Sequence, residues 1–477
     1  MVKPLSLAIL CRLDISRAEP LPVQIYRDLL AAIRDGRLRH GSRLPASRGA
    51  AGELGVSRGT INVAYDLLRA EGVIEVRPGA APRVVAATEP PPFSQAVRAF
   101  APSARGARLS VDPRRETAGA PEGIMAPGEP SETLFPRDEW GRALRRAARR
   151  MHGTRAAYGD PHGLPDLRLI LSERLAQDRG VFADPGQILI TTGTQGSLSL
   201  ATRMTSDPHD LAAIEDPGYL GARVAFEGAG LRLATLPVDE HGARPDVLPE
   251  EARLIYLTPS NQYPTGVRLS HARRRVFLDR AEVMGALILE DDYDSEFHWR
   301  GREIAALAAE GPEARVIYAG SAAKVLMPAL RIGWLVVPDA LVDPFRAAAR
   351  NCGLMANLHA QAALAEMMRS GRYRAQLGRI ARVYAARGLA LAEALDGIDG
   401  LSVRPPDGGV QLAIRFEDGR SETEAIVALS AKGFSPSRLS RYMLTGCVSG
   451  LVVGFADATP ERIALFVRTL IETPCSG

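Results

Sequence analysis

Lys324 is the residue whose setting in the sequence most directly suggests chemistry. The chain has only three lysines, Lys3, Lys324 and Lys432, among 59 Lys and Arg residues. Lys324 follows the apolar run Val316–Ala319, which predicts a β-strand. A lysine at a partly desolvated strand end can present a neutral amine to a carbonyl group. A surface lysine in a loop is the alternative, and the scarcity of lysine in this chain favours the chemical role.

A second candidate group follows the apolar run Ala286–Leu289. Glu290, Asp291 and Asp292 are adjacent carboxylates, and Tyr293 comes directly after them. They could form a solvated turn, a Mg²⁺ site, or one buried acid with two exposed neighbours. A single buried carboxylate can keep a pyridine nitrogen protonated, and a tyrosine can donate to a phenolic oxygen. Together with a reactive lysine, these groups are what pyridoxal phosphate (PLP) requires.

Phosphate-binding groups are also available. Residues 192–197, Thr-Gly-Thr-Gln-Gly-Ser, lie between a predicted strand and a predicted helix. Backbone N–H groups at a helix start bind phosphate well, although such turns also use Gly and Thr for geometry alone. Ser321 and Arg331 flank the lysine and offer a hydroxyl and a guanidinium group.

The elements that position these residues form a repeating pattern. Apolar runs alternate with helical stretches, which predicts an α/β domain with a mostly parallel central sheet. Ligands of such domains bind at the carboxyl ends of the strands, where the polar motifs begin. The predicted strands are Ile188–Thr191, Leu211–Ile214, Leu254–Leu257, Ala286–Leu289, Val316–Ala319 and Ile332–Val337.

The amino-terminal region has a different pattern. Apolar spacing predicts a helix over Pro22–Asp35, stopped by Gly36. Ser47 is expected to cap a second helix reaching Leu54, and Ser57 a third helix over Arg58–Glu71. Two short helices joined by a tight turn are typical of a helix-turn-helix. The third would lie in the DNA major groove, unless this is a three-helix domain that packs on the rest of the chain.

A wing and a charge excess accompany these helices. Val73–Val76 and Arg83–Ala86 are expected to pair as two strands. Residues 1–85 contain thirteen Lys and Arg against eight Asp and Glu, a net charge of +5, whereas the whole chain is +4. A basic unit on a nearly neutral body fits contact with nucleic acid.

Composition limits the remaining possibilities. Apolar residues make up 46% of the 477 residues and charged residues 24%, as in ordinary globular proteins. The four cysteines are scattered and the histidines form no cluster, so neither a metal site nor a disulfide framework is expected. The first apolar stretch is too short for an export signal, and we expect a cytoplasmic protein with no membrane partner. Three domains are predicted: a DNA-binding domain over 1–86, a Pro-, Ala- and Arg-rich linker over 87–123, and the α/β domain over 124–477.

The segment Gly36–Gly79 resembles the winged helix-turn-helix of the GntR family. The resemblance implies that six residues face DNA: Arg43, Ser47, Arg48, Ser57, Arg58 and Thr60. The wing tip, residues 80–82, reads Ala-Ala-Pro where the family has a Gly- or Ser-rich tip.

The body resembles fold type I aminotransferases, and more closely the aminotransferase-like half of the MocR/GabR-type GntR regulators. Five segments carry the resemblance in order: Ala156–Arg168, Ile214–Arg223, Tyr256–Gly266, Ile288–Trp299 and Gly320–Pro338. It implies an α/β, PLP-dependent-transferase-like fold in a homodimer.

The same resemblance implies roles for individual residues. Lys324 would form the aldimine with PLP, Asp291 would pair with the pyridine nitrogen and Tyr293 with the phenolic oxygen. Tyr219 would stack on the ring, and Tyr158 would reach the cofactor of a partner subunit. The phosphate would be held by Gly193, Thr194, Ser321 and Arg331.

Some residues depart from the aminotransferase pattern. Ala322-Ala323 replaces the usual aromatic residue and serine before the lysine, and Tyr263 stands where aminotransferases have an asparagine. Leu451 aligns with the arginine that clamps the substrate carboxylate, so ordinary amino acids should turn over poorly unless Arg438 or Arg441 substitutes.

The favoured interpretation is a PLP-binding regulator of transcription. Its partners would be a double-stranded DNA operator and an amine, an amino acid or PLP as effector, and the operon would concern amines, amino acids or vitamin B6. Two alternatives remain: an active aminotransferase with an appended DNA-binding domain, and a regulator whose body only dimerises. Enzymatic turnover is not expected.

Overall fold

The computed structural model describes residues 6–14, 16, 19–77, 80–85, 101–110, 123–151, 159–300, 305–310 and 315–473. The chain divides into two compact units, Met1–Ala101 and Pro102–Gly477. Among the described helices, none is long and apolar enough to cross a membrane.

The α-helices and strands within the described ranges are as follows. The helices are α1 Leu7–Leu10, α2 Leu21–Arg34, α3 Ser47–Leu54, α4 Arg58–Ala70, α5 Ala104–Ser110, α6 Arg137–Arg150, α7 Pro165–Arg179, α8 Thr194–Thr205, α9 Leu220–Ala229, α10 His271–Met284, α11 Val342–Asn351, α12 Leu358–Arg369, α13 Arg372–Leu395, α14 Glu422–Ser430 and α15 Pro460–Ile471. The strands are β1 Ile74–Glu75, β2 Arg83–Val84, β3 Ile188–Thr191, β4 Leu211–Asp216, β5 Arg232–Asp239, β6 Gly242–Ala243, β7 Ala252–Leu257, β8 Leu287–Asp292, β9 Val316–Ser321, β10 Gly333–Val336, β11 Leu401–Val403, β12 Gln411–Phe416, β13 Ser437–Arg438 and β14 Gly450–Gly454.

The smaller unit is the predicted three-helix unit with a wing. Helices α2, α3 and α4 pack around one apolar core, and β1 pairs antiparallel with β2. Ser57 caps α4 as predicted, accepting a 3.1 Å hydrogen bond from the Thr60 backbone N–H. The prediction that Ser47 caps α3 was wrong: the cap position is Ala46, and Ser47 is the first helical residue.

The start of the chain belongs to this core as well. Leu7 and Leu10 are buried in the apolar core of the smaller unit. They belong to the short apolar stretch that was judged too short for an export signal. The Leu7 backbone N–H donates a 2.8 Å hydrogen bond to Glu53 on α3. Helix α1 therefore stabilises the helix-turn-helix.

The larger unit is built on an eight-stranded sheet with the order β3-β10-β9-β8-β7-β4-β5-β6. The central strands β9, β8, β7, β4 and β5 pair in parallel, whereas β10 is antiparallel to both of its neighbours. All six predicted strands are present, so the predicted α/β class with a mostly parallel sheet is confirmed. Strand β5 was not predicted, because its sequence, Arg-Leu-Ala-Thr-Leu-Pro-Val-Asp, is interrupted by polar residues and a proline and forms no continuous apolar run.

A second sheet completes this unit. Strands β11, β12, β14 and β13 pair antiparallel in that order near the carboxyl end of the chain. One face of β12 and β14 packs in the largest apolar core through Leu412, Ile414, Leu451 and Val453. The alternate residues face the other way, because successive side chains of a strand point to opposite faces.

Part of the predicted linker is helical. Helix α5 packs against α9, and Leu109 lies directly over Gly228. A side chain at position 228 would occupy the space of the Leu109 methyl groups. The rest of residues 87–123, except 101–103 and Gly123, lies outside the described residues.

Candidate functional site

Lys324 lies just after β9, and its side chain is half-buried. Its ammonium group donates a hydrogen bond to the carbonyl of Gly128. Burial lowers the pKa of Lys324, and the negative charges of Asp294, Asp291 and Glu129 oppose this effect. The amine is therefore easier to deprotonate than an exposed lysine, as a nucleophilic role requires.

Strand β8 brings Asp291 close to this amine. Asp291 is buried and accepts a 2.8 Å hydrogen bond from the hydroxyl of Tyr256. Burial raises the pKa of Asp291 to about 7, with a further increase from Asp292, while Tyr256 and Lys324 act in the opposite direction. A cationic partner would lower this pKa and hold the carboxylate ionised.

The two neighbouring acids are also buried, so the motif is neither a solvated turn nor one buried acid with two exposed neighbours. Asp292 points to the opposite side of the sheet, where it binds Arg179 with a 2.7 Å Nε–Oδ2 distance and accepts from Tyr318. Glu290 accepts from the backbone N–H groups of Leu307 and Ala308. A folded sheet can bury adjacent acids when each has its own partners.

Tyr293 is held by the loop between β7 and α10. Its hydroxyl donates a 3.1 Å hydrogen bond to the carbonyl of Asn261. The Asn261 amide donates a 2.7 Å hydrogen bond to Asp294, whose pKa is raised to about 8 by burial. An asparagine two residues before Tyr263 thus contacts Tyr293, although Tyr263 itself replaces the aminotransferase asparagine.

Four tyrosines form a cluster beside these groups. Tyr263 is at its centre, with ring centroids 5.2 Å from Tyr219, 5.7 Å from Tyr293 and 5.5 Å from Tyr442. Tyr219 is the cap residue of α9 and half-buried. The tyrosine cluster therefore links the predicted ring-stacking residue to the predicted phenolic-oxygen partner.

The predicted phosphate-binding residues meet at one edge of the sheet. Gly333 on β10 pairs with Thr191 at the end of β3 and with Ser321 at the end of β9. Gly193 caps α8, so Thr194 begins a helix whose first N–H groups have no acceptor within the helix.

Two further features complete this edge. The backbone of Arg331 adjoins Gly193, and the residue is exposed with a left-handed φ of 53°. The Ser321 hydroxyl is already engaged locally, because it accepts a 3.0 Å hydrogen bond from the Ala323 N–H.

The carboxylate-clamp prediction was wrong by one residue. Leu451 faces away from the site and packs in the large apolar core. Its neighbour Val452 packs with Tyr263, Tyr293 and Tyr442 and is fully buried. Val452 is therefore the β14 residue that faces the site, and its side chain is aliphatic.

Gln411 was missed by the sequence analysis. It begins β12, is 3% exposed, and neither of its amide atoms has a hydrogen-bond partner among the described residues. Burial raises the pKa of the neighbouring Tyr263 hydroxyl, and the Gln411 amide beside it acts in the opposite direction. No charge or motif marks this residue in the sequence, and only the packing of the two sheets in this unit reveals it.

All six predicted DNA-facing residues are at least partly exposed on the smaller unit. Arg43, Arg48, Ser57 and Arg58 are exposed, and Ser47 and Thr60 are half-exposed. Arg58 Nε donates a 3.2 Å hydrogen bond to Ser47 Oγ, which joins the starts of α3 and α4. The backbone of Arg43, on the turn before α3, forms an isolated antiparallel β-bridge with Arg83 on β2. Arg83 is exposed and was not among the predicted DNA-facing residues.

Comparisons with known proteins agree with both units. Residues 21–84 match the model for bacterial regulatory proteins of the gntR family, and residues 128–442 match that for class I and II aminotransferases. The probable rhizopine catabolism regulatory protein MocR of Rhizobium meliloti is 37% identical over 96% of this chain and 94% of its own length. The chain belongs to the MocR-type branch of the gntR family.

Another relative is a regulator with a different named role. The pyridoxine biosynthesis regulator PdxR of Corynebacterium glutamicum is 29% identical over 93% of each chain.

Among solved structures, α-aminoadipate aminotransferase LysN from Thermus thermophilus is 28% identical over 79% of this chain and 97% of its own, with a TM-score of 0.70. The aminotransferase fold implies PLP as the cofactor of this MocR-type chain.

The described residues fit that cofactor. A half-buried amine with a lowered pKa, a buried carboxylate beside it and a helix start at the same sheet edge are the groups that PLP requires. Tyr158 lies outside the described residues. Within the described ranges, no group of three or more His, Cys, Asp or Glu residues could hold a metal ion.

Proposed function

We propose that this protein is a PLP-binding, ligand-responsive regulator of transcription. The smaller unit would bind a DNA operator, and the Lys324 site would bind PLP together with an amine or amino-acid effector, or respond to PLP itself. The observation that carries the proposal is the set of polar groups around Lys324 on a chain that also has an exposed helix-turn-helix surface. The operon would concern amines, amino acids or vitamin B6, in keeping with the named roles of two relatives in rhizopine catabolism and pyridoxine biosynthesis.

Each residue has a separate task in this proposal. PLP supplies, when bound, a carbonyl group that reacts with amines and a ring that withdraws electrons. Lys324 would hold the cofactor, Asp291 would keep a proton on the pyridine nitrogen, and Tyr293 would donate to the phenolic oxygen. Tyr219 would cover the ring.

The phosphate would be held at the start of α8. Gly193 and Thr194 contribute backbone N–H groups there, and the helix dipole favours the negative charge. Arg331 would add a guanidinium group, and Ser321 a hydroxyl.

Regulation requires that the effector bind two states of the protein with different affinity. A homodimer would present two helix-turn-helix units to two half-sites of an operator. In that homodimer, Tyr158 would contribute to the partner's site. The expected cytoplasmic location stays a prediction.

An active aminotransferase is the competing function, because the groups proposed to hold the cofactor would also support transamination. The aliphatic Val452 argues against it, since nothing at that position can fix a substrate carboxylate.

The decisive experiment uses the PLP-loaded full chain. DNA sites are first selected from a random pool, and their affinity is then measured with and without a panel of amines and amino acids. A several-fold change in DNA affinity supports the proposal. Steady transamination of an amino acid and a keto acid, without any change in DNA affinity, would support the enzyme instead.

A further inference from the structure

The buried amide of Gln411 is the feature of this site that the cofactor roles leave unexplained. A side-chain amide has two donors on nitrogen and an acceptor on oxygen. In Gln411, both atoms are buried without a hydrogen-bond partner among the described residues. Leaving a buried polar group unsatisfied is costly, so a molecule that satisfies both atoms would bind favourably here.

The amide of Gln411 lies close to the amine of Lys324. A side chain added to Gly128 would have its Cβ 3.2 Å from Lys324 Nζ and 3.4 Å from Gln411 Oε1. Gly128 has a φ of +74°, a conformation that favours glycine. The lysine amine and the amide oxygen therefore both lie beside Gly128, where a larger residue would crowd them.

The neighbouring positions on the second sheet are apolar. Gln411 and Ala413 lie on one face of β12, and Val452 on β14 pairs with Ala413. At position 452, a carboxylate placed here would meet an aliphatic side chain. It could accept from the Gln411 nitrogen, but it could not donate to the Gln411 oxygen.

A hydroxyl group fits this position better than a carboxylate does. Because it both donates and accepts, one or two hydroxyls can satisfy both ends of the amide without bringing a charge into a buried site. The hydroxyls of the tyrosine cluster border the same face and are also neutral.

We propose that Gln411 is a specificity-determining residue, whose amide binds a neutral hydroxyl group of a primary-amine effector that carries no carboxylate. This inference rests on the proposed function, because it assumes that an amine is sensed at the Lys324 site.

The test uses three amines that share a 2-amino three-carbon skeleton: isopropylamine, serinol (2-amino-1,3-propanediol) and alanine. Each is titrated into the PLP-loaded full chain, and its affinity is measured from the visible absorption band and, independently, from the thermal unfolding midpoint. We expect serinol to bind about tenfold more tightly than isopropylamine, and alanine least tightly.

The variant Gln411→Met removes the amide and keeps the length of the side chain. Replacing an unsatisfied buried amide by an apolar group should leave the fold intact. We expect serinol to lose its tenfold advantage while isopropylamine binds as before. Gln376→Met is the matched control, because Gln376 is equally buried but already donates to the Leu134 carbonyl, and it should keep the preference for serinol.

Three outcomes would overturn the inference. A serinol preference that survives in Gln411→Met would assign the hydroxyl contact to other residues. Tighter binding of alanine than of serinol would place a cation, and not Gln411, at the recognition point. A PLP band that no amine perturbs would refute amine sensing at Lys324, on which this inference rests, whereas the effect of PLP itself on DNA affinity tests the regulator function separately.

Discussion

The hydroxyl of Tyr256 donates a 2.8 Å hydrogen bond to Oδ2 of Asp291, and both residues are buried in neighbouring parallel strands. This hydrogen bond lowers the pKa of Asp291, but the loss of hydration on burial raises that pKa by more. Asp291 is therefore held between two charge states near neutral pH, and this makes it a sensitive reporter of whatever binds beside it.

The PLP-free protein should lose stability as the pH rises from about 4 to about 7. The pKa of Asp291 is about 7 in the folded protein, whereas an unperturbed aspartate has a pKa of 3.8. Between these two pH values, the folded state keeps a proton that the unfolded state has released. The free energy of unfolding then falls by up to about 1.4 kcal/mol per pH unit from this group. Urea titrations across this range measure the slope.

Asp291→Asn should reduce this slope, whereas Asp399→Asn, at an exposed site, should not. Burial also raises the pKa of Asp294 to about 8 and that of Glu215 to about 7, so these two acids account for the slope that remains. Tyr256→Phe removes the hydrogen bond that favours ionisation and should extend the falling range to higher pH. Equal slopes in the wild type and in Asp291→Asn would contradict the assignment.

Lys324→Ala should abolish covalent attachment of PLP. The wild type should show a visible absorption band and, after borohydride reduction, a modified peptide containing residue 324, whereas the variant should show neither. Lys432→Ala is the control, since Lys432 is exposed on the same unit. Basal DNA affinity should stay within about twofold of wild type in both variants; a loss as large as that of Arg58→Ala would contradict the separation of roles.

Arg58→Ala should weaken DNA binding by about 1–3 kcal/mol if the side chain reads a base. If it contacts phosphate, the salt dependence of binding should fall as well. Arg69→Ala is the matched control, because Arg69 is an exposed arginine in the last turn of the same helix. Binding isotherms at several salt concentrations distinguish the two cases, and equal effects of the two substitutions would show that Arg58 has no special role.

Leu109→Ala should release helix α5 from α9. Leu109 lies directly over Gly228, and its truncation removes an apolar contact between the two helices. Trypsin should then cleave faster after Arg105 and Arg108, while the global unfolding midpoint stays nearly unchanged. Leu169→Ala, which truncates another partly exposed leucine, should leave this cleavage rate unaltered. An unchanged rate in Leu109→Ala would mean that α5 is not protected by this contact.

Much of the architecture can be predicted from the sequence because it depends on local patterns. Continuous apolar runs predicted the buried central strands, and the 3.6-residue spacing predicted the helices of the smaller unit within one or two residues. Lys324 was noticeable because lysine is rare in this chain. The predicted roles of Asp291, Tyr293, Tyr219 and the phosphate-binding residues came from ordered motifs, and they remain proposals that the experiments above test.

Other features were decided by tertiary contacts alone. The sequence could not tell that Glu290 and Asp292 are buried, because their partners Leu307, Ala308 and Arg179 are distant in the chain. It also could not choose between Leu451 and Val452, since a shift of one residue along a strand exchanges its two faces. The unsatisfied amide of Gln411 follows from how the second sheet packs beside Lys324, which depends on contacts between segments far apart in the sequence.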